Sequence, residues 1–323
     1  MSTPTLRGPH WLVARQHRPA LWTAAGLLVT VTAALIALRV WVVSTRDEAA
    51  CLAGDFINCE PRLFNGQGTP SGLLRLMVEF TSAGLMFLPF LLGAFVAGPM
   101  IARELESGTY KLAWTQSVSP TRWLASKLTV ASVVAVALSA LYIAAFRYGW
   151  APVAGTYGLS WWDRGVYEAT GPVLVAYCLL ATAVGAVVGQ LVRRTLPAMA
   201  LTGLITGAVL LLISSVRWDV WPSERLTAAT TDRLTALREL GRNDFTLRTG
   251  YVTESGEELA YDACWRPTGR DECPADLGIT GWFADYHPAA HYWQVQAAES
   301  AVVLGLAALA VIAAFRLLRR SHA

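Results

Sequence analysis

Charge is scarce in this chain, and lysine is almost missing from it. Asp, Glu, Lys and Arg make up 15% of the 323 residues, where a soluble domain typically carries about 25%. Lysine occurs only as Lys111, after Tyr110, and Lys127, after Ser126. A phosphate-binding loop needs Gly-Lys followed by Ser or Thr, so the chain lacks one. A net charge of +3 is too small to imply a nucleic-acid partner. Histidine and cysteine number five each, which limits metal chemistry. His287 and His291, with Cys264 and Cys273, hint at a two-Cys, two-His zinc set. However, eight residues separate the cysteines, where about two to four is usual, and Pro288 interrupts the histidine pair. No Glu follows His287, so the metalloprotease motif is absent and no metal is assigned. No cluster of acids, histidines and nucleophiles converges near one leaflet, which argues against a membrane-embedded enzyme.

What the chain has instead is apolar length. Hydrophobic residues make up 54% of it, and six stretches approach or exceed the roughly 20 apolar residues that cross a bilayer. They lie at 21–43, 74–101, 126–147, 172–192, 197–216 and 297–317. The first run is too long for a secretory signal, whose apolar core is about 7–15 residues, and it reads as an uncleaved first helix. The fold class is therefore an all-α polytopic membrane protein of six transmembrane helices. A small α+β extracytoplasmic domain is expected between helices five and six.

Orientation follows from Lys and Arg near the helix ends. With the N-terminus inside, the inner segments hold Arg7, Arg15, Arg18, Arg103, Lys111, Arg122, Lys127, Arg193, Arg194, Arg316, Arg319 and Arg320. The short outer loops hold only Arg46, Arg62 and Arg164. Both termini are thus expected in the cytoplasm, and a bacterial inner membrane is the expected location. Cysteine placement points the same way. Cys51 with Cys59, and Cys264 with Cys273, would each close a short loop in an oxidising compartment. Cys178 sits alone within the fourth helix as a small apolar residue.

The chain divides as follows. Residues 1–20 form a basic, aromatic segment, either an interfacial helix or a topogenic tail. Residues 21–216 hold helices one to five, with a structured loop at 102–125. Residues 217–296 form the outer domain, and 297–323 the last helix and a basic tail. In the loop, a short helix is expected to break near Gly108, with Ser119 and Pro120 capping its restart. In the outer domain, SERLTAATTDRLTALREL is helical in pattern, with Leu226, Leu234, Leu237 and Leu240 as anchors. Phe245, Leu247, Thr249 and Tyr251 alternate as a strand, and a turn at Glu254 to Gly256 leads to a second strand. The closing GWFADYHPAAHYWQ reads as an aromatic cluster where the chain re-enters the membrane. WWDRGVYE, from Trp161 to Glu168, reads as an interfacial helix or shallow re-entrant segment.

Gly185 with Gly189, and Gly203 with Gly207, are small-xxx-small pairs that let helix backbones approach closely, within one subunit or at a dimer seam. Arg39 and Glu79 are read as the only base and acid well inside the spans. They are expected to pair, with snorkelling of each to the outer surface as the competing reading.

Two stretches carry a resemblance. ARELESGTYKLAWTQSVSPTRWLASK, with its A-R-E-x-E-x-G-T core, Thr-Gln and Arg-Trp, resembles the loop of ABC type-two permeases from actinobacteria. YHPAAHYWQVQAAE is similar to an aromatic Pro-Ala motif before the last helix of the same group, with His291 where Arg is expected. The resemblance implies that Arg103, Glu104, Glu106, Gly108 and Thr109 face a cytoplasmic ATP-binding-cassette ATPase. It also implies a second permease, identical or not, with substrate passing between the two in an exporter. The chain itself would bind no cofactor; ATP and magnesium belong in the partner ATPase. The alternative is a membrane sensor or immunity subunit that captures a ligand through the 217–296 domain without moving it.

Overall fold

In the computed structural model, the described residues are 18–53, 55, 58–63, 66, 68–115, 119–155, 159–229, 240–241, 243–264 and 277–320. The chain divides into two compact units, Met1–Ser214 with Glu299–Ala323, and Ser215–Ala298. The described helices, in chain order, are α1 Arg18–Thr45, α2 Glu48–Leu52, α3 Pro70–Leu92, α4 Gly98–Ser107, α5 Tyr110–Thr115, α6 Pro120–Trp150, α7 Val166–Thr170, α8 Val173–Val192, α9 Thr195–Val216 and α10 Tyr292–Arg320. A π-helical turn, Gly93–Ala97, joins α3 to α4. Among the described residues, six helical segments are long and apolar enough to cross a membrane: Ala25–Thr45, Pro70–Ser107, Pro120–Val153, Val173–Val192, Thr195–Asp219 and Ala289–Arg320. These match the six stretches read from the sequence. Most of the span ends lie further out, because helices run past the hydrocarbon core that hydropathy detects.

The larger unit is organised around α8, which buries residues on every face. Glycine makes this possible. A Cβ at Gly185 would sit 2.5 Å from the Ala97 backbone, and one at Gly189 3.1 Å from Ala102 N. Gly98 is packed as tightly from the other side, where a Cβ would meet the Ala198 carbonyl of α9 at 2.9 Å. Gly203 and Gly207 of α9 face the Phe90 ring. Both glycine pairs therefore pack against the second span within this chain. Around that contact, α1, α3 and α6 share an apolar core through Leu35, Leu74, Val78, Tyr142 and Phe146. Within the segment 159–170, Trp161, Val166, Tyr167 and Glu168 are buried against the rest of the unit.

The disulfide Cys51–Cys59 forms as expected, with Cα atoms 4.6 Å apart. Asp47 caps α2 beside it, accepting from Ala49 N and Ala50 N. Cys273 lies outside the described residues, as does the side chain of Cys264, so the second expected bridge falls there. The segment 1–17 likewise lies outside them.

The smaller unit carries an antiparallel sheet of order β1-β4-β2-β3, with β1 Glu224–Ala228, β2 Phe245–Thr253, β3 Glu258–Ala260 and β4 Ile279–His287. The β2–β3 hairpin agrees with the sequence reading, with Tyr251 opposite Leu259. One reading is corrected. Residues 224–228, expected to begin a helix, form β1, because all five pair antiparallel with β4, and Arg225 bridges Asp285 (2.6 Å) and Glu258 (2.5 Å) across the sheet. The remainder of that expected helix, 230–239, falls outside the described residues. GWFADYH is a central strand, β4, whose Trp282 and Ala284 form the sheet core with Tyr251.

Gly185→Ala is expected to destabilise the protein by about 1–3 kcal/mol through overpacking, whereas Gly207→Ala, with 3.4 Å to Phe90, is expected to be near neutral. Thermal midpoints of the purified variants in detergent check this; equal midpoints would contradict the packing role.

Candidate functional site

The loop between the second and third spans is built from α4, α5 and the start of α6. α4 ends at Ser107 because Gly108 adopts a left-handed conformation (φ +71°) that glycine tolerates best. α6 restarts at Pro120, with Ser119 as N-cap accepting from Arg122 N. The break and the restart fall where the sequence placed them.

The five loop residues do not share one environment. Glu104 points inward: one carboxylate oxygen accepts from Lys127 Nζ at 2.6 Å and the other from Trp123 Nε1 at 2.9 Å. Lys127 is 2% exposed and Glu104 17%. The Lys127 ammonium also lies 5.6 Å from the Trp123 ring centroid. Glu106 instead reaches α9, where its Oε2 accepts from Thr195 N at 2.8 Å and from the Thr195 hydroxyl. Arg103 is exposed and makes no ion pair or hydrogen bond among the described residues. Gly108 is half-buried and Thr109 exposed, its hydroxyl 3.0 Å from Ser107 Oγ. Aromatic edges hold α5 in place: Tyr110 on Trp114 at 4.7 Å, and Trp114 on Trp123 at 6.1 Å.

The loop is thus tied to two other spans. Glu104 fastens it to the third and Glu106 to the start of the fifth. Sequence reasoning assigned both carboxylates outward and counted Lys127 as an orienting charge. The signal for the strut was a lysine about two helical turns into a largely apolar helix, where an unpaired ammonium is costly.

The intramembrane pair is a correction. The Arg39 guanidinium donates to the Tyr148 carbonyl and lies 4.1 Å from that residue's ring centroid. The Glu79 side chain is exposed, and no Arg39–Glu79 ion pair occurs among the described residues. α3 buries Leu74, Val78 and Leu85 against α1 and α6, which turns Glu79 onto another face. Glu299 was missed, because the predicted span began only two residues before it. It is fully buried in α10 and accepts from Tyr177 Oη at 2.8 Å.

The two histidines are packed into the smaller unit, side by side. His287 ends β4, fully buried, with Nε2 3.0 Å from the Trp218 carbonyl and Nδ1 3.2 Å from His291 Nδ1. His291 Nε2 lies 3.3 Å from Glu224 Oε1. No group of three or more metal-binding side chains occurs among the described residues. Burial pushes the His287 pKa below the usual histidine range, and the neighbouring His291 adds to that. The Asp285 carboxyl is also held low, chiefly by its hydrogen bonds from Arg225.

The sequence model of one family, described as ABC-2 membrane transporter related, matches residues 25–217. No curated protein and no solved structure matches the chain.

Two outcomes follow. Glu104→Ala leaves the Lys127 ammonium buried without its carboxylate, at an expected cost of about 3–5 kcal/mol. The pair Glu104→Leu with Lys127→Met is expected to recover most of it, as thermal melts of the three proteins would show. Unequal protonation makes the sheet unit acid-sensitive. An unfolded His287 takes up a proton below about pH 6.5, while the folded one resists until lower pH, so stability falls as pH drops through that range. Asp285 adds a further loss below about pH 4. His287→Gln should reduce the difference in thermal midpoint between pH 7.5 and 5; an unchanged difference would refute the assignment.

Proposed function

This chain belongs to the ABC-2 membrane transporter related family, and we propose that it is the permease subunit of an ATP-driven exporter. As a multi-pass membrane protein of that family it is a transporter membrane subunit. The finer reading adds that both termini and the 102–125 loop are cytoplasmic, that the sheet unit is extracytoplasmic, and that a second permease completes the path in a bacterial inner membrane. ATP and magnesium are held by a separate ATPase, since the chain has no Gly-Lys-Ser/Thr sequence.

The observation that carries this reading is the strutted loop. α4 is continuous, through the π turn, with the second span. Glu104 ties it to Lys127 in α6, and Glu106 ties it to Thr195 in α9. A partner pressing on the exposed tip at Ser107, Thr109 and Lys111 would therefore displace three spans together. Coupling of this kind biases the balance between inward- and outward-open arrangements and asks no bond chemistry of the chain. Gly108 lies within the same tip, and Arg103 one helical turn before it. Glu104 and Glu106 transmit the load from inside it.

The experiment is co-purification of the full-length protein with a candidate ATPase. Wild type is expected to retain the ATPase, and Thr109→Arg with Lys111→Glu to lose most of it while keeping its thermal midpoint. If wild type captures none, the exporter reading fails. The ligand of the sheet unit, in a sensor or immunity role, then becomes the question.

A further inference from the structure

The outer flank of the π turn opens onto two adjoining grooves. One, of about 460 Å³, is apolar and runs between Phe90, Ala94 and Phe95 on one side and Met199, Ala200 and Leu204 on the other. The other, of about 470 Å³, continues it past Phe95 and Met199 to Arg103, Glu106 and Thr195. The close approach of Gly98 to Ala198 lies between the two helices that form its walls. π turns are rare and concentrate at functional positions, and this one carries Phe95, 63% exposed, onto the shared wall.

The dimensions fit one lipid leaflet. From Phe90 to Arg103 is thirteen residues, or about 20 Å at 1.5 Å per residue. Half of a hydrocarbon core is about 15 Å. The polar end therefore lies at headgroup depth when the apolar end lies near mid-bilayer.

The polar end has a particular charge pattern. Arg103 and Glu106, three apart on one helix face, are neighbours that commonly pair, yet no ion pair forms between them. Glu106 commits Oε2 to Thr195, leaving Oε1 to the groove, and Arg103 has no partner among the described residues. Arg194 lies near Glu106 without lining the groove. One cation and one anion side by side complement a zwitterion whose own charges are separated by a short spacer. We propose that this groove holds a phospholipid with a primary-amine headgroup, its acyl chain along Phe95 and Met199, its phosphate at Arg103 and its ammonium at Glu106. A primary ammonium can donate a hydrogen bond to the free Glu106 oxygen; a trimethylated one cannot, and an anionic headgroup meets the carboxylate with like charge.

The test uses the purified full-length protein, delipidated and offered equal amounts of phosphatidylethanolamine, phosphatidylcholine and phosphatidylglycerol with identical acyl chains. Retained lipid is counted by native mass spectrometry. Met199→Trp and Ala200→Phe, two independent ways of filling the groove, define the background of loosely held lipid. Above that background, wild type is expected to prefer phosphatidylethanolamine about five-fold, the scale of an exposed charge interaction. Glu106→Gln, which keeps an oxygen for Thr195, should bring the three lipids close to parity. Arg103→Gln should lower retention of all three. Phosphatidylglycerol bound as well as or better than phosphatidylethanolamine would overturn the proposal. So would a preference that survives Glu106→Gln, or retention unchanged by both groove-filling variants. The readout needs no ATPase, so it stands or falls separately from the coupling reading.

Discussion

The larger unit depends on how closely the second span can approach the fourth. In lipid no hydrophobic force draws helices together, so association rests on packing and on how near the backbones come. Gly185 and Gly189 remove the side chains that would hold α8 away from Ala97 and Ala102, and Gly98 does the same towards α9. The second span is thereby gripped on two sides at the level of its π turn. Its continuation, α4, is aimed by that grip. The loop can be fastened to Lys127 and Thr195 because α4 emerges in a fixed direction. Loosening the glycine contact would unfix the π turn, the strut and the groove together.

Adjacent acids in the loop illustrate how position on a helix divides labour. Glu104 and Glu106 are two residues apart and so lie on different faces of α4. One face meets the buried start of α6, where a carboxylate must answer a lysine. The other meets the N-terminus of α9, where backbone N–H groups lack helical acceptors and a carboxylate is the natural cap. The same short sequence therefore joins two helices that have no other charged link to it among the described residues.

Much of this was legible in the sequence, for a physical reason. Apolar runs report membrane spans directly, because the bilayer penalises any polar interruption. Turn chemistry at Gly108 and Ser119–Pro120 is local and so can be read locally. The hairpin of β2 and β3 was visible through alternation around Tyr251 and Leu259. What escaped were features decided by partners distant in sequence. Arg39 was assigned by depth alone, but rotation of α1 and α3 about their axes gave it Tyr148 and turned Glu79 away. β1 was read as helix because its sequence tolerates one; its partner β4 lies about sixty residues later, with Arg225 opposite Asp285. Glu299 lay at the rim of a predicted span, where nothing in its neighbours announced Tyr177.

The two units spend their few charges differently, and the contrast bears on what the loop strut is for. On the sheet, Arg225 and Arg248 share Asp285 and Glu258 in an exposed lattice over the Phe283 ring. Such pairs individually contribute little, and their value lies in the network. In the loop, a single pair is withdrawn from water, where desolvation offsets most of the attraction and apolar substitutes of the same volume would often be as stable. Stability alone therefore does not account for Glu104 and Lys127. Register is the role we propose for them: a carboxylate held at once by an ammonium and an indole N–H favours one rotation of α4 against α6. In the proposed coupling role the loop needs that single seating more than it needs added stability, because slippage at the joint would absorb the displacement before it reached the spans.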